Sequence, residues 1–165
     1  MSENASLGVG IHATAVVHGE TGVLILGPSG SGKSALALAL LGRARMAGIF
    51  GALVGDDRVW VRPAGGRLVA FGSPKAAGLI ERRKSGLVRA PSEPVAVIGL
   101  AVELSGRRRS WPRLPDDPDV LTLEGIVLPR LALESCCCAA DQALAVDERL
   151  GMMAANKVKR ISNFA

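Results

Sequence analysis

The apolar positions divide the chain into short segments. Residues 13–17 form a brief apolar run and read as a strand. Residues 22–26, Gly-Val-Leu-Ile-Leu, form an unbroken run, partly β-branched, which predicts a central strand buried on both faces. Residues 27–32 are glycine and serine with one proline and must be a loop. Residues 34–46 are dense in Ala and Leu without proline and predict a mostly buried helix. Residues 52–54 make a short strand that runs into Gly55-Asp56-Asp57. Residues 59–61 and 67–71 flank Pro63-Ala64-Gly65-Gly66 and predict a hairpin with a glycine turn.

Further on, residues 76–80 read as one helical turn and residues 95–104 as a long apolar strand. Residues 111–118 are a proline-rich loop, and 126–128 a strand that stops before Pro129. Residues 139–150 can form a closing helix. Residues 1–10 read as a loose lead and 151–165 as a frayed tail, which leaves one domain over residues 11–150. Strands outnumber helices and hairpins occur. The expected class is α/β with a mixed β-sheet.

Composition changes this picture little. At 165 residues and 48% hydrophobic the chain suits one globular core. Aromatics make up 3%, so the core must be aliphatic, and single-strand nucleic-acid binding lacks its stacking platforms. The formal charge of +5 favours acidic partners, nucleotides among them. The basic clusters at residues 82–84, 107–109 and 157–160 read as solvated faces. No stretch reaches the ~18 apolar residues of a spanning helix. The start lacks the basic and apolar pattern of a signal peptide, so the expected location is the cytoplasm, with no membrane and no nucleic acid as partner. The adjacent Cys136-Cys137-Cys138 lack zinc-ligand spacing and read as a packed or semi-exposed stretch.

The segment Gly27-Pro28-Ser29-Gly30-Ser31-Gly32-Lys33-Ser34 fits the P-loop pattern Gly-x-x-x-x-Gly-Lys-Ser. The glycines let the backbone curl with its N–H groups turned inward. The following helix adds the positive end of its dipole. Lys33 can reach the outer phosphates, and Ser34 can place its hydroxyl on a magnesium ion. An apolar strand enters and an Ala/Leu helix leaves, as the motif requires. ATP and Mg2+ are the expected cofactors.

Three further features narrow the chemistry. His12 precedes the strand that feeds the loop; Asp56-Asp57 ends the next strand; Glu81 is followed by Arg83 and Gly86. His18 belongs to no motif and reads as structural. With these motifs the chain resembles the bacterial HPr kinase/phosphorylase family, in the short form without the family's N-terminal domain. The likeness runs over about residues 11–131. Pro112-Arg113-Leu114 and Leu128-Pro129 resemble the family's late arginine and its Leu-Pro strand.

The resemblance implies a phosphoenolpyruvate-carboxykinase-like core and an ATP- and Mg-dependent protein serine kinase acting on an HPr-like phosphocarrier protein. It implies that Lys33 neutralises the transferring phosphoryl and that Asp57 takes the serine proton. Ser34 and Glu81 would hold the metal. His12 would lie beside Asp57 and the phosphates, and Arg113 would contact phosphate or partner. Asp56 is expected to act through the metal or the local structure, since neighbouring side chains on an extended strand face opposite ways. Homo-oligomers occur in fuller members.

Departures from the family pattern also exist. Ala35 stands where many members have an acidic residue, and Lys84 replaces a glycine. The Pro-x-x-Pro-Gly-Arg-Asn-like segment that the resemblance ties to dephosphorylation is absent after Leu131. The kinase direction is therefore expected over a weak phosphorylase. The alternatives are a catalytically weak nucleotide-binding regulatory module, which Ala35 and Lys84 favour, and a small-molecule kinase or ATPase.

Overall fold

The computed structural model describes residues 8–105, 119–135 and 137–162. Eleven strands and two α-helices follow in chain order: β1 (Val9–Ile11), β2 (Ala13–His18), β3 (Thr21–Leu26), α1 (Lys33–Ala47), β4 (Gly51–Gly55), β5 (Val59–Ala64), β6 (Arg67–Phe71), β7 (Leu79–Arg82), β8 (Gly86–Arg89), β9 (Val95–Ser105), β10 (Val120–Leu123), β11 (Ile126–Glu134) and α2 (Ala139–Ser162). One mixed sheet runs β1-β5-β6-β9-β3-β2-β4, and β11 joins β9 while pairing with β10. β7 and β8 form a separate hairpin.

β9 is the spine. Its first half pairs antiparallel with β6, its middle runs parallel to β3, and its end runs parallel to β11. The sheet curls on itself around one apolar cluster that includes Ala13, Leu24, Val59, Leu68 and Ile98. Its other face packs on α1 and α2 through Val23, Ile25, Leu36, Leu40, Leu100 and Val146. Both faces of β3 are therefore buried, which explains its unbroken apolar run. In α1 the buried Leu36, Ala37, Leu40 and Ala44 recur at helical spacing.

The structure corrects several expectations. Residues 9–11 are not loose but form an edge strand on β5. Residues 76–80 are not a helical turn: a 3-10 turn, Pro74–Ala76, leads into β7. There Ile80 is fully buried and pairs with Val88, so tertiary pairing overrides the alanine signal. The strand at Ile126 does not stop before Pro129. Val120 lies opposite Pro129, while the Arg130 N–H donates to the Asp119 carbonyl at 2.7 Å. Pro129 thus occupies a non-hydrogen-bonded pair, where its missing N–H costs no ladder bond. β8 and β10 were not anticipated. Glu124 and Gly125 both have positive φ, the two-residue turn that joins β10 to β11.

The closing helix does not end at Leu150 but runs on to Ser162, through most of the stretch expected to be a frayed tail. Arg113, the basic run 107–109 and the proline-rich loop lie outside the described residues. Of the expected packed or semi-exposed cysteine stretch, Cys137 and Cys138 are exposed free thiols. No helix among the described residues is long and apolar enough to cross a membrane.

His18 has a structural place. It is buried at the end of β2, and its Nε2 lies 2.7 Å from Asp147 Oδ1 on α2. The other oxygen of Asp147 accepts from Arg43 Nε on α1. One carboxylate thereby ties sheet, first helix and second helix together. Asp147→Ala leaves Arg43 without its acceptor and His18 without its neighbouring carboxylate, and should lower unfolding free energy by about 1–3 kcal/mol. Urea denaturation checks this; an unchanged midpoint and slope would show that the tie contributes nothing.

Candidate active site

The site forms where four strand ends and one helix start meet. Ala13 pairs with Leu26, so the antiparallel register carries His12 alongside Gly27, the first glycine of the loop. Ala15 pairs with Gly55, which carries Thr14 towards Asp56 at the end of β4. β3 ends in the loop, and α1 begins at Lys33.

The loop needs its glycines. Gly27 has φ 149°, and a Cβ there would lie 2.8 Å from the Leu104 carbonyl oxygen. Gly32 caps α1 with φ 101°, a left-handed conformation that side chains rarely adopt. The first turn of α1 carries no acidic residue. No side chain of the helix itself therefore offsets the positive end of its dipole.

Lys33 is almost fully buried, at 6% exposure. Its Nζ donates to the carbonyls of Gly27 and Pro28, at 2.9 and 3.0 Å, and lies 2.9 Å from His12 Nε2. An ammonium has three protons to donate, so these three partners occupy it completely. With Nε2 accepting, the proton of a neutral His12 sits on Nδ1. That atom lies 3.1 Å from both the carbonyl and the Oδ1 of Asp57. Burial pushes the Lys33 ammonium below its ordinary pKa, against the opposing pull of Asp57 and Asp56. A polyanion beside Nζ would offset that desolvation.

Asp56 and Asp57 diverge, as neighbours at a strand end should. Asp57 is well exposed, with its side chain at 84%, and takes φ 65°. Asp tolerates this left-handed conformation better than most residues, at a cost typical of functional positions. Asp56 turns inward. It accepts from Ser34 Oγ at 3.0 and 3.1 Å on its two oxygens, from Thr14 Oγ1 at 2.6 Å, and from the Glu81 N–H at 3.3 Å.

A cleft of about 980 Å³ joins these groups. Its walls include His12, Lys33, Ser34, Asp56, Asp57 and Glu81 from the expected set. The β7–β8 hairpin closes one side with Arg82, Arg83 and Leu87. Arg83 reaches the loop: a Cβ built on Gly30 would lie 3.7 Å from its Nη2. At the hairpin tip Lys84 takes φ 67°, a conformation that suits the glycine of the family pattern better than lysine.

The fold matches a known architecture. The chain superposes on the HPr(Ser) kinase/phosphatase from Coxiella burnetii with a TM-score of 0.66. The match covers 88% of this chain and 99% of that one, at 24% sequence identity. The two proteins share a fold. No family model and no curated protein sequence matches the chain. The HPr(Ser) kinase/phosphatase fold is thus reached both from the motifs and from the backbone.

Within that fold, the expected residues His12, Lys33, Ser34, Asp56 and Asp57 come together, and Glu81 lies on the same cleft. Arg113 lies outside the described residues. Thr14 and Arg83 were not singled out as site residues. Arg83 stood in a recognised motif, whereas nothing local marks Thr14; only the β2–β4 register brings it to Asp56.

Among the described residues no group of three or more His, Cys, Asp or Glu is arranged to hold a metal. The hard oxygen donors present, the Ser34 hydroxyl and the Asp56 carboxylate, suit magnesium, which commonly takes one or two protein ligands and completes its shell with phosphate and water.

Lys33→Met removes a desolvated cation whose hydrogen-bond partners border the cleft and can turn to water. The unliganded melting temperature should shift by no more than a few degrees. The stabilisation by saturating triphosphate, about 2.7 kcal/mol at a hundredfold excess over Kd, should vanish. Thermal melts with and without ATP measure both; a full ATP shift in the variant would exclude Lys33 from phosphate binding.

Proposed function

We propose that this chain is an ATP- and Mg2+-dependent protein serine kinase acting on an HPr-like phosphocarrier protein in the cytoplasm, built on a phosphoenolpyruvate-carboxykinase-like core. The observation that carries the reading is the convergence of Lys33, His12 and Asp57 on the mouth of a glycine loop at a helix N-terminus. The shared fold and the matching motif spacing support it.

The geometry supports the following roles. The loop N–H groups and the positive end of α1 bind the phosphate oxygens. Lys33 exchanges its carbonyl partners for the outer phosphates. Magnesium, held through Ser34 with Asp56 and Glu81 beside it, supplies charge neutralisation when bound. Exposed Asp57 takes the proton of the incoming serine hydroxyl as Oγ bonds to the terminal phosphorus. The bond from that phosphorus to the bridging oxygen breaks, and ADP leaves. His12 Nδ1 donates to the Asp57 main-chain carbonyl and lies 3.1 Å from its Oδ1, which holds the carboxylate at the mouth, while the other ring nitrogen orients Lys33. Arg83 extends over the loop to the outer phosphates, and Arg113 contacts phosphate or partner.

A regulatory nucleotide-binding module with little catalysis is the second reading. The strained Lys84 at the tip of the hairpin and the missing acidic residue at Ala35 favour it.

Asp57→Asn separates the two. Asparagine tolerates the same left-handed backbone and keeps the side-chain shape, but it cannot accept the serine proton. Phosphoryl transfer should fall by about 10²-fold or more, with ATP affinity nearly unchanged. Transfer by the variant at the original rate would make Asp57 structural and remove the base from the mechanism.

A further inference from the structure

Thr14 is fully buried in β2, yet its hydroxyl points at the cleft machinery and donates to Asp56 Oδ1 at 2.6 Å. A β-branched side chain on a strand has little χ1 freedom, so strand register fixes where this hydroxyl sits. Thr14 pairs with Ile25 of β3, and the pairing with β4 begins at the next residue, Ala15, opposite Gly55.

Its acceptor is less constrained by itself. An aspartate carboxylate has a broad terminal torsion and can turn its oxygens between partners. Here four hydrogen-bond contacts hold it: one from Thr14, two from Ser34 and one from the Glu81 N–H. Ser34 has a single hydroxyl proton and two lone pairs. When that proton points to Asp56, the lone pairs are directed away from it and stay available to a cation. The orientation of the Ser34 oxygen therefore depends on the orientation of the carboxylate, and the shortest contact on that carboxylate, at 2.6 Å, comes from Thr14.

We infer that Thr14 is a positioning residue for the divalent-cation site: its buried hydroxyl locks the Asp56 carboxylate, which in turn sets the Ser34 hydroxyl to ligate the cation that accompanies the nucleotide. The inference rests on the kinase reading above. Thr14 is fully buried and does not line the cleft. Its effect passes through Asp56, as outer-shell partners act on metal ligands elsewhere, where their loss costs about 10- to 100-fold in metal affinity.

The test uses the full chain and measures ATP binding by calorimetry across a magnesium titration, and again in excess chelator. Thr14→Val keeps the shape and removes the hydroxyl; Thr14→Ser keeps the hydroxyl. The expected result for Thr14→Val is about a tenfold or greater rise in the magnesium concentration that half-maximally enhances ATP binding. Its magnesium-free ATP affinity should stay within about twofold of the original, because the loop and Lys33 are untouched. Thr14→Ser should restore the original magnesium dependence. Should Thr14→Val fail to fold, Thr14→Ala carries the same expectation.

An original protein with clear magnesium dependence and a Thr14→Val variant with the same dependence would overturn the inference while leaving the kinase reading intact. An original protein whose ATP binding ignores magnesium would overturn the kinase reading and the role of Thr14 with it. A loss of melting temperature without any change in magnesium dependence would reduce Thr14 to a buried hydroxyl that stabilises the fold.

Discussion

The parallel pairing of β3 with β9 holds the phosphate loop where it is. Val23 to Leu26 run beside Leu100, Ala101, Val102 and Glu103, and the chain leaves β3 at Gly27 against the carbonyl of Leu104. That close approach admits only glycine. From Val23 to Leu26 the register is unbroken, and the side chains of the two strands are shared between two separate apolar clusters, so a slip would mispack both. The loop, the start of α1 and Lys33 therefore inherit their position from the most buried part of the sheet. Antiparallel pairing of β2 with β3 then delivers His12 to the loop, and β2 with β4 delivers Asp56 and Asp57. One central strand junction thus organises residues that lie far apart in the chain.

The charges at this junction are arranged in two opposed layers. Lys33 is folded inward and saturated by its own loop and by His12. Asp56 is likewise saturated, by Thr14, Ser34 and the Glu81 N–H. Asp57 stays exposed at the mouth. A binding site without substrate keeps its buried ions paired because an unpaired buried charge is costly. In the proposed reading, phosphate takes the place of the loop carbonyls around Lys33, Asp56 keeps its contacts with Thr14 and Ser34, and exposed Asp57 serves as the base.

Much of this was legible in the sequence, for definite reasons. The unbroken apolar run before Gly27 and the Ala/Leu run after Lys33 have single structural solutions, and β3 and α1 form as expected. The Gly65-Gly66 turn names its hairpin directly. What escaped depends on tertiary pairing. β7 and β8 are short and mixed in character, and they exist because they pair with each other beside α1. Pro129 suggested a stop, yet its place in a non-hydrogen-bonded pair removes the penalty that would have ended β11. The end of α2 was hidden behind Gly151. At the site, motif residues were visible one by one, whereas Thr14 has no local signature and is brought in by register alone.

The central claim is that this cleft moves a phosphoryl group from a triphosphate to a serine hydroxyl on a protein. The most direct measurement is incubation of the chain with γ-labelled ATP, magnesium and an HPr-like protein from the same organism, followed by mapping of the modified residue. The account predicts label on one serine of the partner, dependent on magnesium and on the intact chain. Firm ATP binding with no label on any HPr-like partner would contradict it and leave a nucleotide-responsive module in its place.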